Sequence, residues 1–312
     1  RIYFISFLLI TFFSAKRQPV GLNSQSIAVI LFLLAIGISG IFAYNPSLSW
    51  NPFYISSTLV LFYFLLTIVI RSPYDLVFMV TTYIVTMTAY LAKAQWEYFV
   101  HGQNRYDMGV IRMIGIENTY GGPNDLSMSI IVSLPMLIFL WAKRKEIVYG
   151  WPIFYQKWLP RILFLYGVLA ISSIVLTNSR SGMVGFILFV ALLAFYRSQG
   201  FIRKIGYVMV GVILLGLIWT VIPEQNKGRF RTIWGEGEGR ETQWAIASAE
   251  GRIEGFHVGM KMFNEFPIAG VGIGNFMEYR KSHIDGIELQ PHNLIGQVLG
   301  ETGLLGLISF VF

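Results

Sequence analysis

Predominantly apolar runs of 18 and 19 residues, such as 53–70 and 26–44, recur along this chain and leave few folds open to it. Coiled as a helix, a run of that length crosses the roughly 30 Å hydrocarbon core of a bilayer. Charge is correspondingly scarce. Only 13% of residues are Asp, Glu, Lys or Arg, against about 25% in soluble domains. The expected fold is all-α: a polytopic bundle of transmembrane helices.

Hydropathy places crossings near 1–15, 26–44, 53–70, 74–92, 125–142, 162–177, 183–196, 205–222 and 294–312. Two connectors are long, 93–124 and 223–293. The expected organisation is eight crossings in 1–222, an extracytoplasmic loop over 223–293 and a ninth crossing over 294–312. The chain starts at Arg1 rather than Met and its last residue lies inside an apolar run, so it is read as clipped at both ends. The opening run is no signal peptide, because Lys16 and Arg17 follow it instead of preceding it. Lack of cysteine excludes disulfides and thiolate metal ligands.

Alternating the crossings from side to side sorts the charge. One side carries eleven basic residues, from Lys16, Arg17 and Arg71 through the 143–161 connector to Arg197, Arg203 and Lys204. Only Asp75 and Glu146 oppose them. Short basic connectors stay in the cytoplasm, so this side is expected inside. The basic balance is thus a topology signal, and a nucleic-acid partner is not expected. All four histidines and both long connectors fall outside.

The last run, "PHNLIGQVLGETGLLGLISFVF", opens with His292 and carries Asn293, Gln297 and Glu301 at four-residue spacing, one stripe of a helix. Gly296 and Gly300 allow close helix approach. A carboxylate one to three turns into a membrane usually faces a cavity or a partner charge, so Glu301 is expected to line a cavity. In "LTNSRSGMVGF", residues 162–196 leave little length for two crossings. The turn must be tight, and Arg180 is drawn to the membrane surface or below it.

The outer loop contains "AEGRIEGFHVGMKMFNEFP", in which Ile253, Phe256, Met260 and Phe263 recur at helical spacing. It reads as an amphipathic helix with Arg252 near its start. "PIAGVGIGNF" lacks the lysine of a phosphate-binding loop and is read as a shaped turn after Pro267. "RMIGIENTYGGPNDLSMS" brings Arg112 and Glu117 to the mouth of the fifth crossing, with Asn124 or Asp125 as its cap. The histidines form no H-x-x-H or H-x-x-x-H pair, so no metal site is expected, and no cofactor.

Guanidinium groups at an outer lipid surface match phosphate oxygens bidentately and hold their charge there. With no ATP on that face, the substrate must arrive activated, and a polyprenyl-diphosphate-linked sugar fits. Arg180 and Arg252 then stabilise the leaving diphosphate, and His292 takes the proton of the attacking hydroxyl.

His292-Asn293, nine residues and Gly303-x-x-Gly306 together resemble the H-[NSQ]-x9-G-x-x-G signature of bacterial O-antigen ligases. "NSRSG", "GRIEGFHVGMKMFNEFPIAGVGIGNF" and "RMIGIENTYGGPNDL" are similar to that superfamily's features and stand in its order, over about 105–312. The resemblance implies a metal-independent, inverting glycosyltransferase of the GT-C type in the bacterial inner membrane, facing the periplasm. It would take glycan from undecaprenyl diphosphate. The family's essential residues map onto Arg180, Arg252 and His292, with Arg231 and Arg240 as neighbours of the second. Arg112, Asn293, Gln297 and Glu301 are further candidates for binding the diphosphate or substrate. The acceptor, a lipid or a glycan, stays open: ligase, polymerase and protein O-oligosaccharyltransferase share the signature. A secondary transporter is the rival class, but no inverted repeat is visible, and a scaffold would tolerate loss of both arginines.

Overall fold

A computed structural model describes residues 23–107, 110–197 and 240–312, with isolated positions between 200 and 216. The expected crossing at 1–15, most of that at 205–222, and Arg231 lie outside the described residues. Nothing is described of the Arg240 side chain. The chain divides into two compact units, one of Arg1–Ser72 with Ile246–Phe312, the other of Pro73–Ala245.

The first unit contains α1 (Ser24–Ile41) and α2 (Pro46–Val69). Each starts on an asparagine: the Asn23 side chain accepts from the Ser26 amide, and that of Asn45 from the Ser47 amide. The second unit holds α3 (Pro73–Val100), an antiparallel hairpin of β1 (Asn104–Asp107) and β2 (Val110–Met113), α4 (Pro123–Ile147), α5 (Ile153–Leu176) and α6 (Arg180–Arg197). Then follow α7 (Arg240–Glu265), the short α8 (Phe276–Tyr279) with a π turn over Arg280–Ile284, and α9 (Leu294–Val311), most of which belong to the first unit.

Six of these helices, α1 to α5 and α9, are long and apolar enough to cross a membrane. The protein is an all-α polytopic membrane protein. The expected crossing at 183–196 corresponds to α6, a shorter apolar helix. Helix α3 continues two turns beyond the expected 74–92, so the connector after it is shorter than 93–124 and partly a hairpin.

In the second unit α5 packs against α3 and α4, burying Ile84, Leu91, Ile130, Leu163 and Tyr166. Polar groups join the helices inside this core. Gln95 of α3 donates to the Leu169 carbonyl and to the hydroxyls of Ser172 and Ser173 on α5, and Ser133 bonds Tyr166. Bonds of this kind hold helices together where lipid gives no hydrophobic drive between them.

In the first unit α1 runs beside α9. Phe32 meets Phe310 at a ring separation of 5.8 Å, and Ser39 in the last turns of α1 donates to the Glu301 carbonyl at 2.6 Å. Glu301 is therefore level with the end of α1. The seven residues of α9 before Glu301, Leu294–Gly300, rise about 10 Å past it, at 1.5 Å each.

At Gly303 the helix breaks (φ 60°, ψ −152°). Four main-chain bonds fill the break from the turn after α7. Val271 and Gly272 amides donate to the Gly300 and Glu301 carbonyls at 2.9 and 3.1 Å. Leu304 and Leu305 amides donate to Pro267 and Ile268 carbonyls at 2.8 and 3.2 Å. Broken backbone near a membrane is tolerated where protein satisfies it in this way. The "PIAGVGIGNF" stretch is thus a shaped turn, and its shape fits the broken helix. The α1–α2 connector closes over the same turn, Tyr44 bonding the Val271 carbonyl and Asn45 the Asn275 side chain.

Candidate active site

In the first unit the candidate residues stand where α7 meets the start of α9. Helix α7 spans Arg240–Glu265, longer than its apolar period indicated. It approaches α9 through glycines on both sides: a Cβ on Gly255 would overlap the Pro291 carbonyl, and one on Gly259 the Gly296 carbonyl. Gly296 and Gly300 were expected to pack against a helix, and the contacting backbone is that of Gly255, Phe256 and Gly259.

This contact brings Arg252 to the His292–Asn293 corner. Asn293 caps α9, its Oδ1 accepting from the Gly296 amide at 2.9 Å, while its Nδ2 donates to the Arg252 carbonyl at 3.3 Å. Both Arg252 and His292 are exposed. His292 has φ 47°, a left-handed conformation rare for a residue with a Cβ and concentrated at functional sites. Asn293, a candidate for substrate contact, is committed to this corner by both ends of its amide.

Glu301, expected to line a cavity, is 2% exposed and held by protein groups. Its Oε1 accepts from the Gly274 and Phe276 amides at 3.1 and 3.3 Å, and its Oε2 from Gln297 Nε2 at 3.2 Å. The acid pins the 270–276 turn and takes Gln297 with it. The three polar residues of the stripe therefore serve, in order, a cap, a relay and a pin. They face protein because this part of α9 rises beyond the end of α1.

Arg280 carried no signal in the sequence. It is 1% exposed and bonds Asp285 through Nε and Nη2 (2.7–3.0 Å) and Glu254 of α7 through Nη2 (3.0 Å). The guanidinium beside Asp285 holds that carboxyl below the ordinary range, and the carboxylate raises the Arg280 pKa in turn. Beside it Tyr279 stacks on His283 (4.6 Å, 8°) and donates to Glu265; burial and that carboxylate push its phenol up to about 12. This cluster fixes the segment between α7 and His292.

In the second unit Arg180 is the first residue of α6, half-buried. The turn before it explains the "NSRSG" string. Asn178 takes φ 48° and its side-chain Nδ2 donates to the Ile111 carbonyl at 2.8 Å. Ser179 Oγ accepts from the Gly182 amide at 3.0 Å, a cap for α6, and donates to Asn124 Oδ1 at 2.8 Å. Gly182 leaves room for Ser127 of α4.

Arg112 is a correction. Expected among the substrate-binding residues, it is 3% exposed and each guanidinium nitrogen is used within the unit. Nε donates to the Thr177 carbonyl at 3.0 Å, Nη1 to Asp107 at 3.0 Å and Nη2 to Asn124 at 2.7 Å. Burial lowers its pKa, the Asp107 carboxylate opposes that, and the nearby charges of Arg105 and Arg180 add to the lowering. Arg112 holds the hairpin, the start of α4 and the Thr177–Arg180 turn together. Asn124 and Asp125 do not cap α4. Its N-cap is Gly122, with Pro123 in the first turn, and Asn124 is engaged by Arg112 and Ser179 instead.

Among the described residues no group of three or more His, Asp or Glu is placed to hold a metal ion. The fold is that of a multi-pass membrane protein, with an exposed arginine midway along α7 and an exposed imidazole just before α9. Residues 165–311, which contain Arg180, Arg252 and His292, match the family model described as O-Antigen ligase. Members are glycosyltransferase-like enzymes. No curated protein and no solved structure matches the chain.

Proposed function

We propose that this protein transfers glycan from undecaprenyl diphosphate to an acceptor hydroxyl, as an O-antigen ligase, at the periplasmic face of the bacterial inner membrane. The observation that carries the reading is the corner itself: an exposed His292 in a strained conformation, tied through Asn293 to the backbone of Arg252. His292 accepts the proton of the acceptor hydroxyl as its oxygen attacks the anomeric carbon. The bond from that carbon to the diphosphate oxygen breaks, and undecaprenyl diphosphate leaves with inversion. Arg252 stabilises the charge that grows on the departing diphosphate, a task suited to a guanidinium fork. Glu301 and Arg280 act one step back, by holding the backbone on which these groups stand.

The test is transfer in vitro with purified protein and an undecaprenyl-diphosphate-linked glycan, offered lipid A–core, free repeat unit and pilin-like protein separately. Lipid A–core is the expected acceptor. His292→Ala should abolish transfer at an unchanged protein level; undiminished transfer would refute the assignment.

A further inference from the structure

The end of the second unit remote from Arg180, where α4 turns into α5, has an unusual surface. Helix α4 starts at the Arg112–Ser179 cluster and ends at Ile147, and α5 returns from Ile153, so this connector is the opposite end of the unit. Within 141–161 lie five basic residues and one acid, Glu146. Lys143 takes up that acid at 2.8 Å. Arg144, Lys145, Lys157 and Arg161 remain as surplus positive charge.

Two of these cations lie over indole rings: Arg144 at 4.6 Å above Trp141, and Arg161 at 5.3 Å above Trp158. A guanidinium over an aromatic face keeps N–H groups at its edge for an anion; Arg144 gives Nη1 to the Trp141 carbonyl and has its other N–H groups for this. The rings are themselves exposed, and Trp151, Tyr155, Phe154 and Trp158 form a continuous chain with centroid separations of 5.5–5.9 Å. Indole and phenol rings settle at headgroup depth, where phosphates lie. Rings that set the depth and cations that sit on them together specify the ligand.

We propose that this face binds anionic phospholipid headgroups, with Arg144 and Arg161 as the oriented phosphate contacts and Lys145 and Lys157 as supporting charges. The site is independent of the transfer chemistry and at the other end of its unit from Arg180. Its role is to anchor the α4–α5 end in a leaflet rich in negative lipid.

The full chain, placed in mixed micelles of phosphatidylglycerol and phosphatidylcholine, is examined by native mass spectrometry for lipid retained after activation. Wild-type protein should retain phosphatidylglycerol over phosphatidylcholine by about tenfold, given the attraction each basic residue has for an anionic surface. The preference should fall as salt is raised. Arg144→Gln, Lys157→Gln and Arg161→Gln combined should bring retention near parity, while Lys281→Gln in the other unit should leave it unchanged. Equal retention of both lipids by the wild type overturns the proposal, as does a preference indifferent to salt, a measurement that needs no variant to fold. A monodisperse triple variant that keeps the full preference overturns it too. Binding of polyglutamate in place of phosphatidylglycerol would assign the face to an acidic protein.

Discussion

Replacing Gly303 with alanine separates two pictures of the last helix by sign. In a continuous α9, Gly303→Ala would stabilise the protein by about 1 kcal/mol, the ordinary difference in helix propensity. The broken helix requires the reverse. At φ 60° and ψ −152° the backbone occupies a region open almost solely to glycine, and a residue with a Cβ there costs about 1–3 kcal/mol. The added Cβ would also lie 2.5 Å from the Ile268 carbonyl oxygen and 2.6 Å from its carbon. That is main chain and cannot rotate away. Relief must pull Ile268 from the Leu305 amide and disturb its neighbour at Pro267, and each such bond is worth about 1 kcal/mol net. The total is about 3–5 kcal/mol of destabilisation. Thermal unfolding in detergent, followed by tryptophan fluorescence, should show a Tm lower by about 10 °C, at roughly 2–4 °C per kcal/mol. Gly167→Ala is the control. Within α5 its Cβ would meet Leu137 Cδ2 at 3.6 Å, an ordinary contact, so its Tm should move far less. A Gly303→Ala protein that melts at or above the wild-type temperature would refute the break.

Glu301→Ala leaves the Gly274 and Phe276 amides buried without an acceptor, at about 1–3 kcal/mol each, whereas Glu301→Gln keeps an oxygen there and should preserve both Tm and transfer. Lost transfer in a stable Glu301→Gln protein would mean the carboxylate acts in the chemistry. Arg112→Ala strips Asp107, Asn124 and the Thr177 carbonyl of their donor. It should cost about 3–5 kcal/mol, with Arg112→Lys restoring part of the Tm; an unaltered Tm in Arg112→Ala would remove its holding role. Because Arg280 lowers the Asp285 pKa, that pair contributes stability in full above the ordinary carboxylate value of 3.8 and loses it as pH falls through the lower folded value. The wild-type Tm should therefore drop at that acid end, and Asp285→Asn should show a smaller drop in a pH series.

The sequence by itself determined that the chain is an all-α polytopic membrane protein, because hydrocarbon thickness sets a minimum apolar length and that length is visible in one dimension. It also held the order of the family's features, from "NSRSG" to the His292–Gly306 signature, and these fall in the matched region. The His292–Asn293 corner could be singled out because it stands beside a recognisable helix start, whereas Arg252, read near a helix start, lies midway along α7. The tertiary structure alone decided what the polar residues do. Glu301 is indistinguishable by spacing from a cavity-lining acid, yet its partners are amides 25 and 27 residues earlier in the chain. Arg112 reaches a carbonyl 65 residues away, and Arg280 joins Glu254 to Asp285 with no periodicity to announce it. The break at Gly303 depends on a turn that begins at Pro267. Helical period records which side chains share a face, a local property; which buried group satisfies which is fixed only when distant backbone arrives beside it.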